Sequence, residues 1–233
     1  MLVSITNEPR AAADPNIAGM AVFLDPGHNG VEDPKNSRVP NGRGGTNACA
    51  GTGTATNDGY GEHSFNWDVV LRIRDALTQM GVRTELSRDN DNDSGPCNDQ
   101  RAAMANAMRP DAIVSIHADN APPSGRGFHV NYSSPPLNDA QAGPTVQLAT
   151  TMRDALVASG LQTSTYRGSN GLYGRADLAV LNLARYPAIL VELGNMKNGD
   201  EAAQMESADG RAKYAAAVTQ GIVTYLSGKT PAS

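Results

Sequence analysis

Four side chains able to bind a metal or carry a proton stand where a fold of alternating strands and helices would gather them. His28 follows the apolar run and tight turn of VFLDPGH, and His117 stands near the end of the apolar run IVSIHAD. Glu192 follows AILV, and Glu62 lies after a glycine-rich stretch at the start of a long amphipathic segment. Two imidazoles, a carboxylate and a water would satisfy a catalytic zinc ion, which keeps three protein ligands and one open position. Such a metal polarises a carbonyl and lowers the pKa of its water. A second carboxylate, free of metal, must then take the proton from that water and pass it to a leaving amine. This gives the four residues four jobs: both imidazoles and one carboxylate for the metal, the other carboxylate for the proton. Each has a plainer alternative. His28 could be a loop residue bonded to backbone, His117 a satisfied histidine of the core, and Glu62 a carboxylate favoured by the positive end of a helix. Glu192 is harder to set aside, because a carboxylate following AILV would be costly to bury unpaired. The four are scattered along the chain, so their spacing alone makes a weak case.

Positioning falls to the elements that these residues begin or end. Residues 21–25 read as a buried strand. In SFNWDVVLRIRDALTQMG, Phe65, Val69, Ile73, Leu77 and Met80 recur at helical spacing, with Ser64 as N-cap and Gly81 as the stop. VRTELSR, DAIVSIHAD, GFHVNYSS and AILVELGN read as further strands. NDQRAAMANAMRP, opened by Asn98 and closed before Pro110, reads as a helix, as do GPTVQLATTMRDALVASG and DGRAKYAAAVTQGIVTYLSG, the last capped by Asp209. The alternation predicts one α/β domain: a mostly parallel, mixed and twisted sheet of about six strands flanked by helices on both faces. In such sheets ligands bind beyond the carboxyl ends of the strands. The expected division is an N-terminal extension over 1–20, a catalytic domain over 21–228 and a tail over 229–233.

Composition narrows the partners. The 233 residues are 39% hydrophobic and carry 19 basic against 24 acidic side chains, a formal net charge of −5. No basic field exists to hold a polyanion, which excludes nucleic acid. No apolar run approaches the roughly 20 residues needed to span a bilayer, and the first twenty residues carry no signal segment. If exported, the chain is therefore expected to be the mature form. Cys49 and Cys97 lie in polar, Gly-rich, loop-like surroundings, where a normally buried free thiol would be out of place. A disulfide between them, in an oxidising compartment, is expected.

Other motifs add nothing. DNDNDSG resembles a calcium loop, but Gly95 falls one place late and Gln100 occupies the position of the bidentate glutamate. Neither the Gly-Lys-Ser/Thr of a phosphate loop nor GxSxG is present. His63, pointing about 100° from Glu62 on a helix, is expected to face solvent. His129, alternating with Phe128 and Val130, reads as the polar residue of one strand face. Arg175 and Asp177 either line a substrate groove or form a surface pair.

Four stretches in order, DPGHNG, GEHSFNWDVVLRIRDALTQMGVRTELSR, RAAMANAMRPDAIVSIHADNA and PAILVELGNMKN, resemble the zinc-dependent N-acetylmuramoyl-L-alanine amidases of the type 3 family, from about residue 22 to 225. The resemblance implies one zinc ion on His28, Glu62 and His117, with Glu192 as general base. It also implies a peptidoglycan or muropeptide substrate, cut between the lactyl group of N-acetylmuramic acid and L-alanine of the stem peptide. A secreted monomer of the periplasm or cell wall is expected. A wall-binding or regulatory module of weak activity, or a zinc peptidase acting within the stem, are the alternatives. Family members often carry a glycine and a phenylalanine after the last glutamate. This chain has ELGNM, which predicts an altered pocket wall near Asn195 and Met196. DNAPPSGRGFHVNYSS returns to a strand too soon for the helical plug that some relatives place over the zinc. The Gly-rich segment 38–57 is longer than the site needs. It is expected to form a hairpin or flap near the metal, tied by Cys49 to Cys97.

Overall fold

The apolar run Ala21–Pro26 forms β1, buried along its whole length, as a strand covered on both faces must be. A short antiparallel hairpin follows, β2 (Arg38–Pro40) and β3 (Thr46–Ala48), then α1 (Glu62–Gln79), β4 (Arg83–Leu86), α2 (Asn98–Met108) and β5 (Ala112–Asp119). The second half contains β6 (His129–Ser133), α3 (Asp139–Ala142), α4 (Pro144–Ala158), β7 (Leu172–Arg175), α5 (Ala179–Asn182), β8 (Ala188–Asn195), α6 (Gly199–Glu206) and α7 (Ala208–Ser227). The computed structural model describes residues 16–229. Positions 1–15 of the expected extension and 230–233 of the expected tail lie outside the described residues.

Six strands form one sheet in the order β4-β1-β5-β8-β6-β7. Every neighbouring pair is parallel except β6 against β8, which gives the mixed, mostly parallel sheet expected. Alternate side chains take opposite faces. Val22, Leu24, Val114 and Val191 join Phe65, Val69 and Ile73 of α1, Leu148 and Met152 of α4, and Val218 and Ile222 of α7 in the larger core. Phe23, Ile113 and Leu190 point the other way, onto Ala105 and Met108 of α2 and Val180 and Leu181 of α5. By the same alternation His117 and Glu192 emerge on this second, thinner side, at the rim of the sheet, and His129 takes the same side but is buried.

Cap positions differ from the sequence expectation. α1 begins at Glu62 with Gly61 as its N-cap. Ser64 instead donates its hydroxyl to Asp91 Oδ2 at 2.7 Å. Ser207, not Asp209, caps α7, accepting from the Gly210 N–H at 3.0 Å. The four-residue elements α3, β7 and α5 and the eight-residue α6 are too short to leave a periodic signal.

Cys49 and Cys97 are joined as a disulfide, fastening the hairpin segment to the start of α2. Contrary to its polar surroundings in sequence, Cys49 is buried, with 4% of its surface exposed. Linking positions 48 apart contributes at most about 4 kcal/mol on a chain-entropy account. The double variant Cys49→Ser/Cys97→Ser is expected to lose about 2–4 kcal/mol in urea unfolding. An unchanged midpoint would mean that other contacts hold the hairpin.

Beneath the rim, buried Asp25 meets Arg101 of α2, whose Nη1 donates to Oδ1 at 2.6 Å. Ser87 Oγ donates to the same oxygen, and Ser115 Oγ to Oδ2, each at 2.6 Å. Burial alone would raise the Asp25 pKa, but the Arg101 guanidinium and the two hydroxyls outweigh it and lower the value from 3.8 to about 2. A folded value below the unfolded one makes this stabilisation fully present above the unfolded pKa of 3.8 and lost as pH falls toward about 2. Urea midpoints measured across that window are expected to drop with acid. Asp25→Asn should be less stable at neutral pH and should lack this part of the drop.

Candidate metal and active site

The turn after β1 places His28 at φ 64°, a left-handed conformation that a residue with a side chain seldom adopts. Arg101 secures it. Its Nη2 donates to the His28 carbonyl at 2.7 Å and to Asn29 Oδ1, its Nη1 to the Pro26 carbonyl at 2.8 Å, and its Nε to the Pro96 carbonyl at 2.9 Å. A planar fork with five N–H donors suits that set of oxygens in a way that an ammonium would not. Arg101 is only 1% exposed, and the sequence reading passed over it. Its one trace was an arginine beside Ala102 and Ala105 on the apolar face of a short helix.

Glu62, at the first turn of α1, lies between the two imidazoles. His28 Nδ1 donates to the Gly51 carbonyl at 3.0 Å, which leaves Nε2 facing Glu62 Oε2 at 3.1 Å. His117 presents Nδ1 to Glu62 Oε1 at 3.0 Å. The same two oxygens accept from the Thr54 N–H at 3.0 Å and the Ala118 N–H at 3.2 Å. One ligand atom from each of His28, Glu62 and His117 lies within 4.8 Å of the others. Backbone packs close around them. A Cβ at Gly27 would run into the His117 ring, and one at Gly53 into His28 and Glu62. Burial would raise the Glu62 pKa, but the two imidazoles outweigh it and hold the carboxyl well below its usual range, so it is ionised. Burial lowers the His117 pKa. For His28 burial also lowers the pKa, but the Glu62 charge together with the hydrogen bonds to Glu62 and the Gly51 carbonyl outweighs it and raises the value, so acid competes with a metal for this nitrogen. Two imidazoles and an ionised carboxylate, with His28 and Glu62 bonded to backbone and His117 to Glu62, fit a divalent metal that takes nitrogen and oxygen ligands.

Glu192 is in register with His117 across β5 and β8, and the pairing slips by one place just beyond, where Asp119 meets Asn195. Such irregularities re-aim side chains beside active sites. Glu192 lines two chambers that also share His28. One, about 350 Å³, is walled mostly by apolar groups, among them Ala48, Ala50, Leu178, Val180 and Leu190. The other, about 370 Å³, is polar and includes Thr54, Glu62, Asp119 and Asn120. Burial first, then the charges of Glu62 and Asp119, raise the Glu192 pKa well above the carboxylate range. That is the direction required of a group that must both accept and release a proton near neutrality. The 38–57 segment does form a hairpin beside this cleft, its Asn47 and Ala48 lying on the wall of the apolar chamber.

The remaining candidates separate. His63 is half-buried, facing Asp91 as well as solvent. Its Nδ1 lies 2.9 Å from Asp91 Oδ1, an oxygen that also accepts from Arg88 Nη1 at 2.8 Å, so Asp91 of the DNDNDSG turn braces the start of α1. His129 is fully buried. Arg175 and Asp177 form a surface pair at 2.9 Å. Asn195 and Met196 are both buried and do not line the pocket. Asn195 Nδ2 donates to the Pro122 and Gly125 carbonyls at 2.9 Å each, pinning the loop between β5 and β6. That loop, residues 120–128, contains no helical plug.

A family profile described as N-acetylmuramoyl-L-alanine amidase matches residues 22–224. N-acetylmuramoyl-L-alanine amidase Rv3717 of Mycobacterium tuberculosis is 63% identical over 218 residues, covering 93% of this chain and 90% of that protein. The crystal structure of the N-acetylmuramyl-L-alanine amidase Ami1 from Mycobacterium smegmatis superposes with a TM-score of 0.91 at 62% identity, covering 92% of this chain and all of that one. Ami1 from Mycobacterium abscessus, in its apo form, gives a TM-score of 0.89 at 60% identity, covering 90% of this chain and 100% of that one. Agreement of sequence and backbone over nearly the whole described length, with the cleft intact, places the chain in the N-acetylmuramoyl-L-alanine amidase family.

Proposed function

We propose that this protein hydrolyses the amide joining the lactyl group of N-acetylmuramic acid to L-alanine of the stem peptide, with one zinc ion held by His28, Glu62 and His117. The catalytic domain spans 21–228. The observation that carries the reading is the Glu62 carboxylate set between two imidazoles, with a metal-free carboxylate, Glu192, in register beside one of them. The chemistry that zinc brings to such a donor set is Lewis-acid polarisation of the amide carbonyl and acidification of water. Glu192 takes the proton from the attacking water and delivers it to the departing alanine nitrogen. His28 and His117 stay neutral as ligands, the first fixed by the Gly51 carbonyl. The two chambers on either side of Glu192 take the two halves of the substrate.

The protein acts, in this reading, as a monomer on peptidoglycan or its soluble muropeptides at the cell wall, outside the cytoplasm. No helix among the described residues is long and apolar enough to cross a membrane. Mass spectrometry of digested muropeptides tests the reading. Expected products are free stem peptides with an N-terminal L-alanine and glycans with an intact lactyl carboxylate, lost on chelation and restored by zinc. Cuts within the stem would assign a peptidase instead, and stoichiometric zinc with peptide binding but no cut would assign a binding module.

A further inference from the structure

On the side of Glu192 away from His117 lies a group of buried polar atoms that the reaction so far leaves unused. β6 pairs with β8 so that His129 stands directly opposite Glu192, and residues so placed share a sheet face with Cβ atoms about 4.5–5.5 Å apart. His129 is fully buried, edge-on to Tyr166 at 6.0 Å and near Tyr173 at 5.9 Å between ring centres. Neither of its ring nitrogens has a hydrogen-bond partner in the protein, and the same holds for Glu192 Oε2 and the Tyr166 hydroxyl, all of them buried; Asp119 Oδ2, nearby, pairs with Arg167 Nε at 3.0 Å. Asp119 Oδ2 lies 3.9 Å from His129 Nε2. Buried polar atoms are almost always bonded, so orphan donors and acceptors gathered around one carboxylate point to a small bridging molecule. Burial first, then the charges of Arg167 and Arg175, lower the His129 pKa to about 3, which leaves the ring neutral, with one N–H donor and one acceptor. Sealed inside the protein, this ring does not reach substrate.

We propose that His129 is a positioning residue for Glu192: its imidazole and the Tyr166 hydroxyl hold Glu192 Oε2 from behind, through one buried water, and so keep the other carboxylate oxygen turned to the cleft. The water accepts from the His129 N–H and the Tyr166 O–H and donates to Glu192 Oε2 and Asp119 Oδ2. When the cleft-facing oxygen takes up a proton, the bond to Oε2 persists and the carboxyl does not swing away. This inference rests on Glu192 as the proton carrier.

The test measures kcat, KM and bound zinc for His129→Phe, His129→Gln, Tyr166→Phe and Glu192→Gln on a muramoyl peptide. His129→Phe is expected to keep its zinc and KM while kcat falls about 10–100-fold, the usual effect of removing an orienting partner. His129→Gln, which can still bond, is expected to recover most of that loss. Tyr166→Phe should lower kcat severalfold. A kcat for His129→Phe within about twofold of the parent would overturn the proposal. So would a Gln variant as impaired as the Phe variant, since packing alone would then explain the loss. Should His129→Phe fail to fold, Tyr166→Phe decides, and parental kcat there overturns the arrangement. Glu192→Gln separates the two levels: an active variant removes Glu192 from the mechanism, whereas an inactive one beside an active His129→Phe removes only the role given to His129.

Discussion

Glu192→Gln is expected to lower kcat by about 10²–10⁴-fold, the range for a positioned general acid–base group, with KM and zinc content unchanged. Glutamine matches the carboxylate in shape but cannot accept the proton of the attacking water. Because Glu192 stands outside the group formed by His28, Glu62 and His117, the metal has no reason to leave. Zinc analysis beside single-turnover kinetics checks both halves of the expectation. A variant that loses its zinc would make Glu192 a ligand, and one that turns over at the parental rate would leave the proton to another group.

Arg101→Met carries the largest expected loss of stability, about 3–5 kcal/mol, because it leaves Asp25 buried without its positive partner. For a domain of this size that corresponds to a melting temperature lower by roughly 6–20 °C. The effect reaches the site, since the same guanidinium holds the Pro26 and His28 carbonyls and with them the left-handed backbone of His28. Zinc affinity is expected to fall about 10–100-fold in whatever fraction folds, measured by chelator competition. Arg101→Lys should recover little of either loss, because one ammonium cannot meet the spread of oxygens that the fork serves. A methionine variant with parental stability and zinc affinity would show that the turn after β1 holds itself.

The central strands and long helices were legible because burial on both faces leaves unbroken apolar runs and burial on one face leaves a helical period. AILVELGN matched its strand residue for residue, and α1 differed only in its cap. Cap positions were harder, since Gly61 and Ser207 act through backbone conformation and a hydroxyl bond that neighbours such as Ser64 and Asp209 could equally have supplied. His63 shows the same limit. Helical geometry correctly turned it away from the cleft, but nothing local announced that Asp91, 28 positions later, would cover it.

By itself, the sequence determined which side chains end the strands, the alternation that makes the sheet, and the carboxylate and imidazole set offered at its rim. These follow from local periodicity and from residue chemistry that does not depend on neighbours. The folded chain alone revealed that Arg101 anchors the His28 turn and that buried His129 stands beside Glu192. Those relations join positions tens of residues apart, and their energies arise from burial and pairing across elements, quantities that exist only once the chain has closed on itself.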